Sequence, residues 1–122
     1  MSEARRTILA TDLDGTFLGG SDAQRTALYD WIAAHRAALT LIFVSGRGLD
    51  FMHTLIQTLP VKPDHLIGNV GTSVAAGPHY TPLPALEHWL DASWPLDAET
   101  RIDAVMRRHP GLREQPGVSG RR

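Results

Sequence analysis

The chain has 122 residues with a formal net charge of −1, 43% hydrophobic and 20% charged residues, and no cysteine. That is enough for one domain with a real core, in the balance typical of a globular protein. The near-neutral charge gives no electrostatic case for nucleic acid or an anionic membrane, and the lack of cysteine excludes disulfides, zinc–thiolate sites and cysteine nucleophiles. No segment approaches the ~18 apolar residues of a membrane span, and the opening MSEARRT has no apolar signal core, so a cytoplasmic location is expected. The six histidines are scattered, no two at i, i+4 spacing, and read as surface groups or satisfied core groups.

Thr7 to Leu13 predicts a first strand buried on both faces, because its apolar run barely alternates. A turn carrying Gly15, Gly19 and Gly20 follows, with Phe17 and Leu18 as its apolar members. Ser21 and Gln24 have the spacing of a capping box, which starts a helix whose inward stripe is Leu28, Trp31 and Ile32. Leu39 to Val44 is a second buried strand. It stops at Ser45-Gly46-Arg47-Gly48, and a second helix turns Met52, Leu55, Ile56 and Leu59 inward before Pro60 and Pro63. A third strand is expected over Asp64 to Gly68. Ser73 to Ala76 then turns at Gly77-Pro78 into His79-Tyr80 as a hairpin. Helices are expected over Ala85 to Ala92 and from an N-cap at Asp97 to Arg108, the latter with Ile102, Val105 and Met106 inward. The three tryptophans are assigned to the core.

Strand, helix, strand, helix, strand is the order of βαβ units, so the fold class expected is α/β with a Rossmann-like parallel sheet and flanking helices. Right-handed crossovers place the functional loops at the carboxyl ends of the strands. Three polar clusters fall at such ends: Asp12/Asp14, Ser45/Gly46 and Asn69/Gly71/Thr72. In extended chain, residues i and i+2 point the same way, so Asp12 and Asp14 are expected to present two carboxylates side by side. Their repulsion calls for compensation, most simply a hard divalent cation such as Mg2+ held at Asp12 and Asp14.

Phosphoryl transfer needs a nucleophile, counter-charge, donors around the phosphate and an acid for the leaving oxygen. Asp12 suits the nucleophile, through an aspartyl-phosphate, and Asp14 the general acid and base. Ser45 and Gly46 suit phosphate binding at a strand-to-helix turn, although Ser45 is equally suited to an N-cap. Gly15 and Thr16 let the backbone fold around metal and phosphate. Arg47 reads as a solvated or helix-start residue rather than a catalytic one. Asn69 and Thr72 divide evenly between turn chemistry and substrate contact.

DLDGT, a downstream VSGR and then GNVGT resemble the haloacid dehalogenase superfamily, in its branch of sucrose-6-phosphate phosphatase and related sugar-phosphate phosphatases. The resemblance implies an obligatory Mg2+, with Asp12 as nucleophile, Asp14 as acid/base, Ser45 as phosphate ligand and Asn69, Gly71 and Thr72 as the loop beside the site. It implies a metal held by the Asp12 carboxylate and the Asp14 backbone carbonyl, and a small phosphorylated sugar as substrate. The family pattern also has a later lysine and a later acidic pair. The one lysine here is Lys62, and no G-D-x-x-N-D pattern follows Thr72. The expectation is therefore an incomplete core over residues 1–112, lacking the later strands and cap, and a tail over 113–122 where a cap would start. Two readings follow: a Mg2+-dependent sugar-phosphate phosphatase, or a truncated non-catalytic fragment that needs a partner or the missing carboxy-terminal half. Either leaves the first strand as a sheet edge, to be covered by self-association or by a partner.

Overall fold

A computed structural model describes residues 5–116. Residues 1–4 and 117–122, the latter most of the expected tail, lie outside the described residues. Five strands form one sheet in the order β1-β2-β3-β4-β5: Thr7–Asp12, Leu39–Val44, His65–Gly68, Ser73–Ala76 and Thr81–Pro82. The first three are parallel, joined through α1 (Asp22–Ala34) and α2 (Leu49–Thr58), whereas β4 and β5 run antiparallel as a hairpin. Two further helices follow, α3 (Pro84–Ser93) and α4 (Ala98–Arg108). This is the expected α/β fold, with its parallel part confined to β1–β3. The hairpin's return strand begins two residues later than expected, at Thr81, after Tyr80 with its φ of +53°.

Alternation decides the packed face. Leu41 and Phe43 of β2, Leu66 of β3 and Ala75 of β4 are buried and meet Ile32 of α1, Met52 and Ile56 of α2, and Leu13 and Phe17 of the turn after β1. Register ties the layers together, because Asp12 stands opposite Val44 and Val44 opposite Ile67. Helix α1 starts where Ser21 Oγ accepts from the Gln24 amide and the Gln24 side chain accepts from the Ser21 amide, the reciprocal capping box the sequence implied.

Three burial expectations fail. Strand β1 is not buried on both faces: it lies at the sheet edge among the described residues, and Ile8 is 67% exposed. On α1, Ile32 is buried but Leu28 and Trp31 are exposed, and Tyr29 takes the inward place instead, its hydroxyl donating to the Phe17 carbonyl at 3.0 Å. Burial raises the Tyr29 pKa, partly opposed by the Arg25 charge. On α4, Ile102 and Val105 are exposed, as is Trp89 on α3, and among the described residues every buried core side chain lies from Leu13 to Tyr80. A regular apolar stripe shows only that a helix has a face to bury, not that this chain supplies a surface for it.

The opposite end of the sheet is closed by Asp64. One oxygen of its carboxylate accepts from the Leu41 amide at 2.8 Å and sits 2.9 Å from the Arg36 guanidinium. Burial pushes the Asp64 pKa up, but the Arg36 hydrogen bond, the Leu41 amide and the charges of Arg36 and Arg6 outweigh it, leaving the pKa lowered. Beside it, Lys62 Nζ donates to the carbonyls of Ile56 and Leu59 at the end of α2. A hollow of about 590 Å3 lies at this end, lined by Arg36, Lys62, Asp64 and Tyr80 among others. The polar side chains named all bond within the fold, so it is a structural seam.

Candidate active site

Strand β1 ends at Asp12, and residues 13–17 wrap one wide turn closed by the Leu18 amide donating to the Leu13 carbonyl at 3.0 Å. Two side chains fix it: Leu13 is fully buried, and Phe17 stacks obliquely against Tyr29 and Phe43, with ring centroids 4.9 and 4.7 Å away. Gly15 has φ of +72°, the left-handed conformation that the turn requires and that favours glycine. The turn presents Asp12 and Asp14 outward while its apolar members anchor in the core.

The two carboxylates take separate partners. Thr16 Oγ1 donates to Asp12 Oδ2 at 3.2 Å. Asp14 receives a two-pronged Arg47, Nε to Oδ2 at 2.7 Å and Nη2 to Oδ1 at 3.2 Å. Asp14 lies in the turn, beyond the end of the strand, yet its backbone is extended (φ −65°, ψ 122°), and it is exposed like Asp12 with Leu13 buried between them. Arg47, read from the sequence as a solvated residue, is the site residue that reading missed. Its hydrogen bond to Asp14, and then the Asp14 charge, raise the Arg47 pKa.

At the end of β2, Ser45 is 6% exposed, the one buried polar residue among the described residues. Its amide donates to the Ile67 carbonyl at 2.8 Å, and its Oγ accepts from the Arg47 amide at 3.1 Å. Helix α2 is capped by Gly48, so Ser45 closes a local turn and is not the N-cap. The Arg47 carbonyl in turn accepts the Asn69 amide at 2.8 Å, which joins the β2 and β3 ends.

The third loop runs through three successive positive-φ residues, Asn69 (+50°), Val70 (+57°) and Gly71 (+89°). Asn69 Nδ2 donates to Ser73 Oγ at 2.7 Å, and the Asn69 carbonyl accepts the Thr72 hydroxyl at 2.8 Å. Asn69 and Thr72 thus perform turn chemistry. Asn69 Oδ1 and His65 Nδ1 are buried without a partner, so His65 departs from the expected satisfied histidine.

One shallow pocket of about 430 Å3 unites the strand ends, lined by Ala10, Thr11, Asp12, Val44, Ser45, Gly46, Val70 and Gly71. Of the residues singled out in the sequence, Asp12, Ser45, Gly46 and Gly71 meet there. Asp14, Gly15 and Thr16 lie in the adjoining turn, and Asn69 and Thr72 in the third loop on either side of Val70 and Gly71. Val70, 74% exposed on the rim, was not anticipated. Among the described residues no three His, Cys, Asp or Glu side chains cluster as a metal cage.

Residues 5–122 match the family described as sucrose-6F-phosphate phosphohydrolase. The chain belongs to that family, within the haloacid dehalogenase superfamily. Among curated relatives, it is 45% identical over 94 residues to a glucosylglycerol-phosphate synthase of Pseudomonas anguilliseptica, covering 75% of this chain and 12% of the relative. It is 41% identical over 71 residues to a mannosylfructose-phosphate phosphatase of Agrobacterium fabrum, covering 57% of this chain and 29% of that protein. A solved sucrose-phosphatase from Synechocystis, in complex with sucrose and phosphate, superposes with a TM-score of 0.75 at 18% identity, covering 92% of this chain and 44% of that one. A haloacid dehalogenase-like hydrolase from Bacillus subtilis gives 0.61 at 13% identity, covering 90% and 53%. The chain therefore spans under a third of these curated relatives and about half of the solved chains. The structural likeness establishes the fold.

Proposed function

We propose that this chain carries the nucleophile side of a Mg2+-dependent phosphatase site for a phosphorylated sugar. The observation that supports this most is the convergence of Asp12, Ser45, Gly46 and Gly71 on one pocket at the carboxyl end of the parallel strands. Asp12 attacks phosphorus, the P–O bond to the sugar breaks, and an aspartyl-phosphate forms. The Ser45 hydroxyl and the Gly46 amide bind the phosphoryl oxygens. Asp14 protonates the departing sugar oxygen and then takes a proton from the water that hydrolyses the acyl-phosphate. Both Asp14 oxygens accept from Arg47, so the proton-carrying form requires one bond of that fork to open.

Oxygen donors at Asp12 and Asp14 suit Mg2+, which is commonly held through one or two carboxylates and completes its shell with phosphate oxygens and water. Bound there, it would neutralise the phosphate and the negative charge that accumulates during transfer. The relatives' names share a phosphorylated sugar compound, so sucrose 6-phosphate and similar sugar phosphate esters are the substrates to try first. Phosphate release from such a panel in the presence of Mg2+ is expected for this chain and is expected to vanish in Asp12→Asn. Activity surviving that substitution would remove Asp12 as nucleophile.

A second reading is favoured by the open β1 edge and by Lys62 being committed to the end of α2. In it the chain is a non-catalytic fragment whose first strand is covered by self-association, by a partner, or by further sequence supplying a lysine and an acidic pair. Sedimentation across concentration, with the phosphatase assay alongside, separates the two: an active monomer supports the first reading, and an inactive, associating species supports the second.

A further inference from the structure

Phe51 is an aromatic residue at the margin of the core rather than within it. It lies in the first turn of α2, 37% exposed, while its neighbour Met52 is fully buried. An exposed helix position favours a straight-chain residue over phenylalanine. What the ring does contact is Arg47, whose guanidinium carbon sits 4.2 Å from the ring centroid. That guanidinium supplies both bonds to Asp14.

The backbone of Arg47 is already fixed on both sides, its amide to Ser45 Oγ and its carbonyl to the Asn69 amide. Only the side chain remains free to wander, and it is 49% exposed, facing an Asp14 side chain 54% exposed. Exposed ion pairs of this kind are weak because two long side chains have to be ordered against solvent. A ring lying against one face of the guanidinium removes much of that freedom and leaves the fork aimed at a single direction.

We propose that Phe51 is a positioning residue of this site: by stacking on Arg47 it fixes the fork that orients Asp14. The inference rests on Asp14 being the proton carrier, but the geometry it predicts is measurable without turnover. The Nε–Hε signal of Arg47, assigned with Arg47→Ala, reports the bond to Asp14 by its exchange with water.

Phe51→Leu is expected to speed that exchange by about two- to five-fold, the weight of an exposed cation–π contact, and Phe51→Tyr to restore it. Where sugar-phosphate hydrolysis is measurable, kcat follows the same order with KM little changed, because the phosphate-binding residues are untouched. Exchange unaltered in Phe51→Leu, or equally fast in Phe51→Tyr, overturns the proposal. A chain without turnover but with the expected exchange pattern counts against the phosphatase reading and leaves the Phe51 assignment standing.

Discussion

Asp64→Asn isolates the charge that closes the amino-terminal end of the sheet. In the wild type, one carboxylate oxygen meets the Leu41 amide at 2.8 Å and Arg36 at 2.9 Å, with Arg6 at 4.0 Å, and the side chain is 29% exposed. Hydrogen bonds to a charged group contribute about 1.5–3 kcal/mol each, against about 1 for a neutral one. Asparagine keeps a neutral bond to the Leu41 amide, and Arg36 keeps the carbonyls of Leu39 and Lys62, both at 3.0 Å. With partial solvent screening, the loss is about 1–2 kcal/mol, or roughly 5 °C in a domain of this size.

The sign with pH follows from the lowered Asp64 pKa. A carboxylate whose folded pKa lies below the unfolded value of about 3.9 contributes stability that is fully present above that value and disappears as pH falls through the folded one. Urea titrations at stepped pH are therefore expected to show a constant gap between wild type and Asp64→Asn from neutrality to about pH 4, closing below it. A gap persisting at the acid limit would mean that shape rather than charge holds the seam. No gap at pH 7 would refute the argument altogether.

Other consequences are local. Gly19→Ala would put its Cβ 2.5 Å from the Gly15 carbonyl oxygen and 2.7 Å from its carbon, both backbone atoms, so the turn that carries Asp14 has to shift. A loss of about 2–3 kcal/mol is expected in thermal melts. Val70→Asn is expected to raise the unfolding free energy by about 1 kcal/mol, read as a higher urea midpoint, because a β-branched residue in the left-handed region costs about 1–2 kcal/mol and asparagine tolerates it. Val70 is 74% exposed, so little packing is forfeited; a lower midpoint would show that its side chain contributes more than its exposure suggests.

The order of elements was legible because each carries its own local signal. The β2 run LTLIFV, the Ser21/Gln24 capping box and the Met52/Ile56 spacing each point to the structure that forms. The convergence of Asp12, Ser45, Gly46 and Gly71 was legible too, since parallel strands joined by helices bring their carboxyl ends together. Burial at β1, α1 and α4 was not, because apolar residues announce a face and say nothing of what covers it. Arg47 was missed for a related reason. Its partner Asp14 is 33 residues away, and a long polar side chain leaves no periodic trace of such a partner. Val70 carried a signal in hindsight: a valine between Asn69 and Gly71 sits where turn residues are usual.

The flank of β1 that no strand covers among the described residues also sets the dielectric around Asp12. Asp12 closes an edge strand and is itself exposed, so charges near it interact largely through water. Two unit charges about 4 Å apart attract by about 1 kcal/mol in water and about 4 kcal/mol at the effective dielectric near 20 of a protein surface. Seating any chain along β1 would therefore do more than satisfy the free backbone groups of the strand. It would strengthen attraction and repulsion alike at Asp12, so that assembly along β1 and the electrostatics of this pocket are coupled.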